Sequence, residues 1–149
     1  MEAMEAIVER RERGNSVYFT MYWSPIKRGD KYKIITSVPS MGGLYELYYM
    51  DDRKKLVLIE RSRAWYGGLR ARLRKAVDPE LREEQKIRRI LEEYDLYYRY
   101  TMLESRDDMI DLIYFFERLR DPRGKGYLHS GRYASIYVKE VSPNKIITM

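Results

Sequence analysis

The chain has 149 residues, no cysteine, a single histidine (His129) and a formal charge of +6 at neutral pH. That is the size of one domain able to bury its own core, and the missing thiols exclude a disulfide framework and a thiolate metal centre. No apolar run reaches the about 18 residues a membrane span needs, so the chain reads as cytoplasmic with no membrane partner, and its positive charge favours a polyanion as partner.

Residues 1–15 form the first unit. Ala3, Ala6, Ile7 and Arg10 recur at roughly helical spacing and Gly14-Asn15 stops the run, so a short helix or arm is expected over 1–13. Residues 16–38 are expected to form a hairpin. The runs 17–23 and 31–38 are aromatic and β-branched, and Lys27-Arg28-Gly29-Asp30 between them is a turn-forming cluster. The breaker at 39–43 then hands the chain to a core spanning 39–122.

Within that core, residues 42–49 and 56–62 are apolar strands joined by a charged turn at 51–54, a connection short enough to make them antiparallel. Residues 69–77 form a helix with Leu69, Leu73 and Ala76 on one stripe. Arg74 projects away from it, and Arg72 stands at its border, from which a guanidinium reaches a sheet edge while still meeting solvent. Asp78-Pro79 opens a second helix, whose buried face is Ile87, Ile90, Leu91 and Tyr94. A strand over 96–103 follows, then a third helix over 107–120 started by Ser105. Residues 123–149 are a C-terminal extension with a last strand over 133–141 and a tail from Ser142. The whole, 1–149, is a single α+β domain: a small antiparallel central sheet flanked by helices.

The order of elements in the core, and residues inside them, resemble the GIY-YIG nuclease superfamily. Gly43-Leu44-Tyr45 looks like the first signature. Leu58-Ile59-Glu60, followed by Arg61 and Ser62, falls at the second, with Leu58 and Glu60 standing for its tyrosine and glycine. Leu69-Arg70-Ala71-Arg72-Leu73 resembles the helix that carries the catalytic arginine. The resemblance implies a GIY-YIG-like core with an extra N-terminal hairpin and C-terminal strand. It also implies phosphodiester hydrolysis in which Tyr45 orients or deprotonates water and Arg72 contacts the scissile phosphate. Asp111, with Asp108 as rival, would hold one Mg2+ or Mn2+, for which a single carboxylate suffices when substrate and water supply the other ligands. Tyr66, in Trp65-Tyr66-Gly67-Gly68 at the mouth of the arginine helix, is the candidate to replace the missing second tyrosine.

Each residue also has a plainer reading. Tyr45 suits a packed strand aromatic, Arg72 a surface ion pair, Asp111 a carboxylate favoured by the helix dipole, and His129 a loop position. The glycine pair suits either a phosphate-approaching backbone or an ordinary turn. Arg61, Arg63, Arg70, Arg74 and Lys75, interleaved with Trp65 and Tyr66, suit phosphate neutralisation without sequence choice. Two functions follow. One is a protein acting on DNA or RNA, either a divergent metal-dependent endonuclease or a module that grips without cutting. The other is a non-catalytic structural or protein-interaction domain, a homodimer joined by strands.

Overall fold

A computed structural model describes residues 5–143 of the chain. Val8–Arg13 (β1) and Ser16–Tyr22 (β2) pair antiparallel across Gly14-Asn15, with Gly14 in the left-handed conformation at φ 59°. The expected N-terminal helix is therefore a strand where it is described; residues 1–4 of that expectation lie outside the described residues. Glu and Arg favour helices in isolation, but Val-Glu-Arg-Arg-Glu-Arg has no apolar stripe with which a helix could dock. Its ladder to β2 decides instead.

The hairpin thus uses the segment before β2, and the expected second strand is a helix. Lys31–Ser37 (α1) is capped by Asp30, whose carboxylate accepts from the Tyr32 amide at 2.9 Å. Ile34 and, four residues on, Val38 are fully buried, whereas Tyr32 is 71% exposed. A spacing of four is a helix stripe and would put the two on the same strand face only with Thr36, which is exposed. Lys27–Arg28 (β3), expected as a turn, pairs antiparallel with Tyr97 and Tyr98.

From there the expected order of elements is present. Gly43–Met50 (β4) and Leu56–Ala64 (β5) are antiparallel, their turn held by the Asp51 carboxylate, which accepts from the Arg53 and Lys55 amides at 2.9 Å. Gly68–Ala76 is α2. The expected second helix is split: Asp78 caps a single 3-10 turn at Pro79–Leu81, the chain extends over 82–84, and Gln85–Glu93 forms α3. Leu96–Met102 (β6) precedes Arg106–Arg120 (α4), capped by Ser105 Oγ accepting from the Asp108 amide at 3.1 Å, and Ser135–Val141 (β7) comes last.

The strands make two sheets, β3-β6-β4-β5 and β1-β2-β7, the first antiparallel and the second mixed because β7 runs parallel to β2. Alternation along β4 separates two cores. Tyr45 and Leu47, with Tyr98 and Tyr100 of β6, meet Ile34, Leu69, Leu73 and Leu91 from α1, α2 and α3. Leu44, on the opposite face, meets Phe19 and Met21 of β2 and Met109, Leu112 and Phe116 of α4. The sheets are stitched where Ser24 N donates to Tyr100 O (2.8 Å) and Met102 N to Ala6 O (2.6 Å). The chain is α+β, with small sheets flanked by helices. Among the described residues no helix is long and apolar enough to cross a membrane.

Candidate functional site

Tyr45 sits mid-core on β4 directly opposite Ser62 of β5, and the same register sets Glu60 opposite Leu47. Residues two apart on a strand share a face, so Glu60 and Ser62 both point toward the α2 side. The Tyr45 hydroxyl donates to Glu60 Oε2 at 3.1 Å. Glu60 Oε1 lies 2.5 Å from Arg82 Nη1 as an ion pair, and the same Nη1 donates to the Ala76 carbonyl at 3.2 Å. Arg72 comes down from α2 onto the same phenol. The phenol's pKa is raised by burial first and by Glu60 second, and partly lowered again by Arg72 and Ser62.

The structure thus joins Tyr45 and Arg72 as the sequence suggests, but in a different relation. Tyr45 is 0% exposed, so it touches no ligand in this conformation; it holds Arg72 and Glu60 in place. Arg72 itself is exposed, and with Arg70, Arg74 and Lys75 it forms the solvent face of α2. Among the described residues no carboxylate lies within ion-pair distance of any of these four cations. Arg70 is steadied by donating to the Val38 carbonyl at 2.7 Å.

The mouth of α2 is closed to phosphate. Gly67 and Gly68 both have positive φ, and a Cβ at Gly68 would stand 2.0 Å from Ser40 O, so the pair is required by the turn. The Leu69 and Arg70 amides that would face an anion donate to the Met41 and Pro39 carbonyls at 2.8 and 3.1 Å. Tyr66, the candidate second tyrosine, is 87% exposed beside this turn.

Arg61 and Arg63 belong elsewhere. They alternate with Glu60 and Ser62 and so lie on the opposite face of β5, Arg63 opposite Leu44. Arg61 is spent on structure: its Nε donates to Glu46 Oε2 at 2.8 Å and its guanidinium lies 4.1 Å over the Phe116 ring.

Asp111 does not fit a metal. Its carboxylate is 1% exposed and accepts from the Ser130 amide (2.8 Å), the Ser130 hydroxyl (2.7 Å) and Arg132 Nη2 (2.9 Å). Asp108, the rival, is bound by the same Arg132 at 2.8 Å and by Arg10 at 3.4 Å. Both carboxylates stand on α4, which packs on the Leu44 face, away from Tyr45. Among the described residues no group of three or more metal-ligating side chains assembles. His129 is a loop residue whose Nδ1 accepts from the Gly131 amide at 3.0 Å.

Sequence reasoning missed the most buried charge in the sheet. Glu46, 1% exposed, accepts from Arg99 Nε (2.5 Å), Arg61 Nε (2.8 Å) and the Tyr48 hydroxyl (2.6 Å). Arg99 in turn lies 4.2 Å over the Trp23 ring, whose indole N–H donates to Glu140 at 3.0 Å. The signal was a lone acid and a lone base interrupting two apolar strands, each with tyrosines on its own face.

Fold and site together define an α+β protein with an uncompensated basic helix locked to a buried tyrosine. A family model described as "Uncharacterised protein" matches residues 7–149, and the chain belongs to that family. No curated protein and no solved structure matches the chain.

Proposed function

We propose that this chain acts on nucleic acid from a GIY-YIG-like scaffold, gripping the phosphate backbone with the Arg70, Arg72, Arg74 and Lys75 face of α2 and not cutting it. The observation that carries the reading is that four neighbouring cations have, among the described residues, no ion-paired carboxylate, while Arg72 is set against the Tyr45 phenol. Ordered guanidinium groups lose less freedom on meeting a phosphate, and phosphate neutralisation favours binding without sequence choice. Binding is favoured over cleavage because Tyr45 has no accessible surface and Asp111 is already saturated by Ser130 and Arg132. A cytoplasmic location, where such a partner and reducing conditions meet a chain without cysteine, goes with this role.

The test is anisotropy of labelled duplex DNA and RNA over a salt series, with and without Mg2+ or Mn2+, for wild type and Arg72→Ala. Salt-sensitive binding weakened by Arg72→Ala, with the strands intact, supports the reading. Metal-dependent cutting abolished by Arg72→Ala would restore the endonuclease. No binding at low salt, with a stable dimer on sedimentation, would point to an interaction domain.

A further inference from the structure

The outer face of the β1-β2-β7 sheet, on the far side of the molecule from α2, carries a feature that the α2 site does not use. Tyr18 of β2 and Tyr137 of β7 are register partners, 42% and 50% exposed, with ring centroids 4.9 Å apart and planes inclined by 14°. That separation equals the spacing of neighbouring strands, so the rings stand side by side across the sheet. Arg11 of β1 is the register partner of Tyr18 on its other flank. β7 ends the sheet, so among the described residues no further strand covers the outer ring face of Tyr137.

Three exposed cations share this face: Arg11, Arg13 two residues along β1, and Lys139 two residues along β7. Among the described residues none of them enters an ion pair or side-chain hydrogen bond. The opposite face of β1 differs. Arg10 there is paired with Asp108, and Glu12 accepts from Tyr133. Among the described residues of these three strands, the one acid that alternation puts on this face, Glu9, accepts from the Tyr22 hydroxyl at 3.4 Å.

We infer that this face binds single-stranded nucleic acid, a base stacking on the open side of Tyr137 to extend the tyrosine pair while Arg11, Arg13 and Lys139 meet the phosphates. Flat aromatic surface with cations beside it is the chemistry that holds an unpaired strand, and it tolerates any base because every base has a π-face. Arg11 and Arg13 are separated by about 6.8 Å along their strand, close to the step between phosphates of an extended strand. A second copy of this chain is the poorer occupant: a two-fold pairing would bring the same unpaired cations against each other. This face is independent of the α2 grip, which needs only phosphates.

The test measures what the bases add. Full-length protein is titrated with fluorescein-labelled dT12, U12 and an abasic 12-mer of equal charge, using wild type, Tyr137→Leu, Tyr137→Phe and Arg72→Ala, with circular dichroism to confirm folding. Wild type is expected to prefer the two base-bearing strands over the abasic one by about tenfold or more, a preference lost in Tyr137→Leu and kept in Tyr137→Phe and Arg72→Ala. The ratio of dT12 to U12 then reports DNA against RNA. Equal affinity for dT12, U12 and the abasic strand in wild type, or a preference indifferent to Tyr137→Leu, would overturn the inference. So would a dimer that Tyr137→Leu dissociates, which would assign the face to a second copy. Loss of duplex binding in Arg72→Ala concerns the α2 grip alone, so the two sites fail separately.

Discussion

The Tyr45 hydroxyl and Glu60 Oε2, on adjacent strands and fifteen residues apart, are joined by a 3.1 Å hydrogen bond. A carboxylate at position 60, so close to the phenol, sets the tyrosine's surroundings. The phenol is held neutral by burial and by the neighbouring negative charge, while Arg72 pulls partly the other way. Its first role is to anchor Arg72.

Tyr45→Phe should therefore loosen Arg72 without removing it. We expect duplex affinity to fall severalfold in Tyr45→Phe and further in Arg72→Ala, which also lowers the slope of log K against log salt by about 0.9 for each phosphate no longer neutralised. Arg61→Ala should leave the salt slope unchanged and lower stability, because Arg61 serves Glu46 and Phe116. A salt slope reduced equally by Arg61→Ala would show that the two arginines grip one strand together.

Glu46 is the next test, one of stability. Three donors converge on a carboxylate with 1% exposure, so its removal leaves Arg99, itself buried, with only the half-exposed Glu140 at 3.7 Å and the Trp23 ring. Glu46→Leu is expected to cost about 3–5 kcal/mol in urea unfolding, the range for breaking a buried pair from one side. Restoring balance with Arg99→Met in the same chain should recover part of that loss, and a double variant no better than the single one would count against the pairing.

What could be read from residues alone divides by distance along the chain. β4, β5 and β6 were legible from their own apolar and aromatic runs, and α4 from its own cap, Ser105. Local reading misplaced 31–37, where Ile34, Ile35 and Thr36 imitate a strand while Asp30 and the Ile34–Val38 spacing specify a helix. Val8–Arg13 has no period at all and takes its form from β2. The shared exposed face of Arg70, Arg72, Arg74 and Lys75 was legible because it rests on one helix. Glu46 with Arg99, 53 residues apart, and Asp111 with Arg132, 21 apart, were not, since no spacing rule links a charge to its partner in another element.

Alkaline pH should find the tyrosine core. Tyr98 is pushed up to about 12, by burial first and Tyr100 second, and Tyr45, Tyr48 and Tyr100 are also raised, with burial the leading cause in each. In the unfolded chain these phenols ionise near pH 10. Above that pH the unfolded state has released protons that the folded state keeps, so stability is full below about pH 10 and falls as pH rises through about 12, by up to about 1.4 kcal/mol per pH unit for each group. Urea midpoints from pH 8 to 11.5 should decline beyond 10, less steeply in Tyr98→Phe; a flat profile would contradict the burial of these hydroxyls.

The Asp111 carboxylate offers the sharpest contrast between a metal ligand and a structural strut. Two donors from Ser130 and one from Arg132 already fill it. An amide in its place turns an N–H toward those donors, so Asp111→Asn should cost about 1–3 kcal/mol, the range for leaving buried polar groups unsatisfied. Ser130→Ala should cost less, because the Ser130 amide still donates. A metal bound to the native state would raise the thermal midpoint in proportion to its occupancy. If Asp111 is a strut, millimolar Mg2+ or Mn2+ leaves the midpoint of wild type where EDTA leaves it, and both variants are destabilised with metal or without. A midpoint that climbs with Mg2+ in wild type and stays still in Asp111→Asn would show that Ser130 and Arg132 give way to a cation, and would return the carboxylate to the phosphodiester chemistry that its place on α4 first suggested.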